Sequence, residues 1–156
     1  MSKNIQQTAM IGRRQALKAA GAGVLALGFA TPAQATPEEV SAEIAKLTGG
    51  APATASDKVR ITLPEIAENG ATVPIGVAVD SPMTPDSYVK KINIYAEGNP
   101  YPTSISFALT PTGKADVNTR IRLQKTQTIV VAAVMSDNSV LTAKKDVKVT
   151  IGGCGG

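Results

Sequence analysis

From residue 59 onward, apolar and polar residues alternate in one short run after another. The runs are VRITL (Val59–Leu63), TVPIGVAV (Thr72–Val79), KINIYAE (Lys91–Glu97), SISFALT (Ser104–Thr110), VNTRIRL (Val117–Leu123), TIVVAAVM (Thr128–Met135) and a last one within residues 139–151. A period of two places successive side chains on opposite faces of a strand, so each run predicts a strand with one buried and one solvated face. Asn69-Gly70, Ser81-Pro82, Gly98-Asn99-Pro100, Pro111-Thr112-Gly113 and Ser136-Asp137-Asn138 separate the runs, and these are turn-forming residues. About seven strands at even spacing predict an all-β, antiparallel sandwich over residues 57–151. Only TIVVAAVM is continuously apolar, which predicts a strand covered on both faces. There is no internal repeat and no glycine loop of the kind that cradles a nucleotide.

The segment ahead of this domain has a different logic. Arg13-Arg14 stands in an acid-free, basic start, the weakly apolar AAGAGVLALGFA (Ala19–Ala30) follows, and Ala33-Gln34-Ala35 offers a small-x-small cleavage site. That order predicts a secretory signal over residues 1–35, and the paired arginines predict the twin-arginine type. The twelve-residue apolar run is short of the roughly twenty that span a bilayer. The chain is expected to be exported to the periplasm, already folded.

Cleavage changes the charge. Lys3, Arg13, Arg14 and Lys18 leave with the signal, so twelve of the sixteen basic residues remain against twelve acids and the mature net charge is zero. A basic precursor therefore gives no argument for nucleic acid. With three Tyr, two Phe and no Trp there is no basic, aromatic-interleaved stretch either. The mature 121 residues suit one domain. Histidine is absent and there is a single cysteine, Cys154, so zinc and copper sites, Ser-His-Asp triads, Cys-His pairs and internal disulfides are all excluded.

Residues 36–50 predict a short amphipathic helix. Thr36 can cap, Pro37 sits where its missing N–H costs nothing, and Glu39 completes a capping box. Val40, Ile44 and Leu47 share one face, and Gly49-Gly50 ends the helix. Without a strong Lys/Arg excess on its polar face, this helix is expected to pack on its own domain, not on a membrane. A Pro/Ala/Thr linker follows at residues 51–56.

The chain closes on Gly152-Gly153-Cys154-Gly155-Gly156. Glycine is the residue with most backbone freedom to lose, so four of them around one thiol predict a swinging arm over residues 152–156. Burial as a small apolar residue and an inert sticky end are both poorer accounts, given the position and the oxidising compartment. Prenylation needs three residues after the cysteine and there are two. An intermolecular Cys154 disulfide, giving a cross-linked homodimer, stays open. Nothing nearby lowers the thiol from its ordinary pKa of about 8.5. A nucleophile on an arm without its own base is the signature of a carrier activated by partners, not of an enzyme.

With GGCGG closing an exported sandwich, the sequence resembles the SoxY family, the sulfur-substrate carrier subunits of the bacterial thiosulfate-oxidising (Sox) system. PEIAENGATVPIGVAVDSPM (Pro64–Met83), IYAEGNPYP (Ile94–Pro102), TRIRL (Thr119–Leu123) and VKVTIGGCGG (Val147–Gly156) carry the same resemblance. It implies an immunoglobulin-like sandwich and a heterodimer with SoxZ. It also implies covalent attachment of thiosulfate-derived groups at Cys154, with no cofactor in the carrier itself. Transient partners would be the haem-containing SoxXA, the sulfate-releasing hydrolase SoxB and, where present, the sulfane dehydrogenase SoxCD. The resemblance gives the remaining blocks no chemical role. Glu65, Glu68 and Glu97 read as turn and interface residues. Arg120 and Arg122 alternate onto one strand face, where a solvated or partner-facing role is preferred to binding of an anion such as sulfate.

Overall fold

A computed structural model describes residues 35–50 and 52–153. Helix α1 (Pro37–Thr48) opens with a reciprocal capping box. The Glu39 N–H donates to Thr36 Oγ1 at 3.2 Å, and the Thr36 N–H donates to Glu39 Oε2 at 3.1 Å. It stops at Gly49, whose φ of 60° is open to glycine at little cost.

Nine strands follow among the described residues: β1 (Thr54–Ala55), β2 (Val59–Thr62), β3 (Ile66–Asn69), β4 (Val73–Val79), β5 (Val89–Ala96), β6 (Thr103–Ala108), β7 (Asp116–Ile121), β8 (Gln127–Met135) and β9 (Val140–Ile151). They form two sheets. The larger runs β1-β9-β8-β5-β6, with β3 also paired to β9, and the smaller runs β2-β4-β7. The core between them is built from the inward residues of each alternating run. Val73, Ile75 and Val77 of β4 belong to one buried cluster with Ile92 and Ile94 of β5 and Ile129, Val131 and Ala133 of β8.

The other face of β8 is covered by α1. Val40 and Ile44 of the helix cluster with Tyr95, Val130, Ala132, Val134 and Val140. Strand β8 is thus apolar on both faces because it is sandwiched between a sheet and a helix, which is what its unbroken hydrophobic run requires.

Two strands depart from the expected antiparallel set of about seven. β1 lies within the linker, β3 within the block read as a turn-bearing connection, and both pair with β9 in parallel. β9 changes partners along its length. Val140–Val147 pair with β8, and Lys148–Ile151 pair with β3. This handover lets the last strand run beyond β8 as far as Ile151.

Candidate functional site

Cys154, Gly155 and Gly156 lie outside the described residues, as do Arg13, Arg14 and Ala33. What the structure describes is the root of the C-terminal peptide, and it is built as a closed ring of backbone hydrogen bonds. The Gly70 N–H donates to Ile151 O at 2.7 Å, the Leu123 N–H to Gly70 O at 2.8 Å, and the Gly153 N–H to Leu123 O at 2.9 Å. Three segments remote in sequence therefore clasp one another through main chain alone.

The clasp explains its glycines. A Cβ on Gly70 would sit 2.8 Å from the Gly153 nitrogen and 2.9 Å from Val149 Cγ1, and closer still to Leu123 O. A Cβ on Gly153 would strike the Gly70 carbonyl and come within 2.6 Å of the Ala71 nitrogen, and one on Gly152 would strike Gln124 O. None of the three has φ in the left-handed region. They are glycines because backbone meets backbone there. The arm expected to begin at residue 152 accordingly gives its first two residues to the cradle.

A second layer fixes the cradle. Asn99, in the Gly98-Asn99-Pro100 loop, accepts at Oδ1 from the Gln124 N–H (3.0 Å) and from Gln127 Nε2 (3.1 Å), and its Nδ2 donates to Arg122 O (2.8 Å). Gln127 is only 9% exposed and accepts from the Gly98 N–H at 2.7 Å. Buried amides must be satisfied or they cost stability, and here satisfaction ties the 98–100 loop to the 122–127 segment that holds the arm root. In the uncleaved chain Ala35, read from sequence as the last residue of the signal, is buried and its N–H donates to Asn99 O at 2.8 Å, a contact that cleavage after Ala35 removes. The Asn69 side chain accepts from the Ala71 N–H at 2.8 Å and shapes the third wall.

Sequence reasoning passed over Gly70, Asn99, Leu123 and Gln127 as site residues. The signal was present, since Asn69-Gly70 and Gly98-Asn99-Pro100 stand in the blocks that carried the resemblance without a role. The flagged carboxylates do not converge. Glu97 pairs with Lys144 at 3.4 Å, Glu65 offers its backbone carbonyl to the Lys148 N–H, and Glu68 is exposed on β3. Among the described residues no group of three or more His, Cys, Asp or Glu is placed to hold a metal. Among the described residues three groups show displaced ionisation, and none lines the cradle. Burial, then the Glu43 charge, pushes Tyr95 under α1 up to about 12. The hydroxyl and N–H of Ser139 hold Asp137 low, and backbone and Thr36 hydrogen bonds do the same for Glu38.

Arg120 and Arg122 both line a cavity of about 270 Å³ beside the cradle, together with Asn99, Tyr101, Thr103 and Ser104. Arg120 sits on β7, the edge strand of the small sheet, and Arg122 just past its end, while Thr103 and Ser104 sit on β6, the edge strand of the large one.

The described residues thus form a two-sheet sandwich whose last strand leads into a glycine pair clasped by backbone hydrogen bonds. The chain belongs to the SoxY family: the model of "Sulfur oxidation protein SoxY" matches residues 44–154. Among solved structures, the sulfur carrier protein SoxY from Chlorobium limicola f thiosulfatophilum is 34% identical with a TM-score of 0.63, over 74% of this chain and 100% of that one. Superoxide reductase (neelaredoxin) from Ignicoccus hospitalis superposes with a TM-score of 0.54 at 20% identity, over 78% of this chain and 98% of that one. At that identity it shares the sandwich fold alone. No curated protein matches the chain.

Proposed function

We propose that this chain is an exported covalent carrier of thiosulfate-derived sulfur, loaded on Cys154. The observation that carries the reading is the family match, which extends to residue 154 and so includes the sole cysteine. The clasp supports it by holding the root of the peptide at a fixed point one residue before Cys154.

The chemistry balances without any group on the carrier except the thiol. In loading, the Cys154 S–H and thiosulfate form a new S–S bond, giving Cys–S–S–SO₃⁻, one proton and two electrons that the haem partner SoxXA accepts. In the next step water attacks the terminal sulfonate under SoxB. The S–SO₃ bond breaks, sulfate and a proton leave, and Cys–S–SH remains. The sulfane dehydrogenase SoxCD, where present, oxidises that outer sulfur. The carrier supplies no base for any of these steps, which is why the activating groups belong to partners. The twin-arginine signal places the protein in the periplasm, where SoxZ pairs with it.

Replacing Cys154 by Ala tests the reading. Thiosulfate-dependent respiration is expected to be abolished while the thermal midpoint and SoxZ binding stay at wild-type values. Continued thiosulfate oxidation by cells carrying Cys154→Ala would overturn it.

A further inference from the structure

We infer that the cavity beside the arm root is a binding site for a sulfur oxyanion group, and that its occupant is the terminal sulfonate of the adduct on Cys154. This inference rests on the carrier reading above. It turns the preferred sequence reading of Arg120 and Arg122, a solvated or partner-facing strand, into an anion clamp.

Four observations carry it. First, both arginines line one cavity, and no carboxylate residue lines it with them. Second, both arginines are without a counter-charge: the ion pairs among the described residues are Lys46–Glu43 and Lys144–Glu97. An arginine fork matches a tetrahedral oxyanion with paired donors, which is the geometry a sulfonate presents. Third, Ser104 lines the same cavity and its Oγ is buried without a hydrogen-bond partner. The register of β5 against β6 slips between Ile94 and Tyr95, which pair with Ile105 and Thr103, so Ser104 is the extra residue of a bulge. Bulges re-aim side chains beside functional sites, and a buried hydroxyl without a partner calls for an explanation.

The fourth observation is position. Arg122 immediately precedes Leu123, whose carbonyl holds the Gly153 N–H at 2.9 Å, and the Arg122 carbonyl is itself held by Asn99, another residue of the cavity wall. From Gly153 the next Cα is 3.8 Å away, and that step with a cysteine side chain and its adduct covers about 10 Å. The described root thus ends one residue before the thiol, hydrogen-bonded to the residue that follows Arg122. Tyr101, 80% exposed at the rim, supplies an apolar face against which the sulfur chain can lie.

A parked sulfonate is shielded from adventitious thiols between partners. The test uses the mature full-length protein, wild type and the double variant Arg120→Gln/Arg122→Gln, with Arg120→Lys/Arg122→Lys as the conservative control. Each is loaded with tetrathionate, from which the Cys154 thiolate takes one inner sulfur with its sulfonate while thiosulfate leaves. Dithiothreitol, which is uncharged, then cleaves the adduct at a rate followed by mass. The double Gln variant is expected to lose its adduct about tenfold faster than wild type, the equivalent of one charge-assisted hydrogen bond, and the Lys variant to fall between. Equal rates in all three, with equal thermal midpoints, overturn the inference. A second arm titrates unloaded Cys154→Ser protein with thiosulfate. Saturable amide shifts at Thr103, Ser104, Arg120 and Arg122, lost in the double Gln variant, support an oxyanion site. Such shifts combined with equal cleavage rates would keep the site for a free anion and overturn its use by the adduct. Tetrathionate loads any accessible thiol, so the pocket stands or falls here even if Cys154→Ala shows the carrier reading to be wrong.

Discussion

Gly70 looks in sequence like half of an Asn-Gly turn, yet its φ is not left-handed and its role is to let three backbones meet. Gly70→Ala forces a methyl into Leu123 O and toward Gly153, and the rigid main chain on both sides has little room to yield. The expected cost is about 1 to 3 kcal/mol, the range for overpacking a tight site, measured by urea denaturation. A second signature separates the clasp from mere destabilisation. In the wild type the Gly153 amide is expected to be protected from hydrogen exchange, and in Gly70→Ala that protection is expected to fall with the amides of β8 still slow. A Gly153 amide that exchanges at the random-coil rate in the wild type would show that no clasp forms in solution. Asn99→Ala is a harsher lesion, because it removes partners from the Gln124 N–H, Gln127 Nε2 and Arg122 O at once. Its expected cost is about 2 to 4 kcal/mol. These residues were hard to read beforehand for a physical reason. A glycine bought for close approach and a glycine kept for freedom are the same letter, and only the neighbouring backbone distinguishes them.

At the scale of elements, the strands that were legible are those whose alternation faces a core on one side. β8 was legible through the absence of alternation, since α1 and the small sheet bury both its faces. β1 and β3 were not legible. β1 is two residues long, and β3 is four residues of which only Ala67 is buried, with Ile66 largely exposed. Their pairing energy comes from β9, far away in sequence, and parallel pairing leaves no hairpin turn to announce it. Yet β3 matters to the site, because it extends β9 past β8 to the cradle. The helix contact makes its own prediction. Tyr95 is 2% exposed beneath α1 and its phenol is pushed from 10 up to about 12, mainly by burial. The folded state therefore favours the neutral phenol. The associated stability is complete below pH 10, where the unfolded phenol begins to ionise, and is lost as the pH rises to about 12, by on the order of 2 kcal/mol. Denaturation midpoints of wild type should fall across that window, and those of Tyr95→Phe should fall less. Equal slopes would mean that Tyr95 ionises as freely in the folded protein as outside it.

For the whole molecule, the sandwich and the clasp meet in the question the proposed function raises: whether Cys154 carries thiosulfate-derived sulfur. A covalent carrier and a disulfide-linked homodimer both begin with the same thiol, and both are sensitive to reductant, so dimer bands on a gel do not separate them. Mass does. Thiosulfate added to Cys154 contributes two sulfurs and three oxygens with loss of the thiol proton, and removal of the sulfonate leaves one added sulfur. A symmetric disulfide contributes neither and doubles the chain. Protein purified without reductant from thiosulfate-fed cells, with cleavage after Ala35, should show a ladder of these additions confined to the C-terminal peptide. Reductant should collapse it to the free thiol. The ladder should also be redistributed by Arg120→Gln/Arg122→Gln, with the sulfonate-bearing rung depleted relative to the single-sulfur rung, because the unparked adduct is open to thiols. A spectrum of bare monomer and symmetric dimer alone, from cells actively consuming thiosulfate, would assign Cys154 to cross-linking and remove the carrier reading, leaving the clasp to be explained as an anchor for a structural joint.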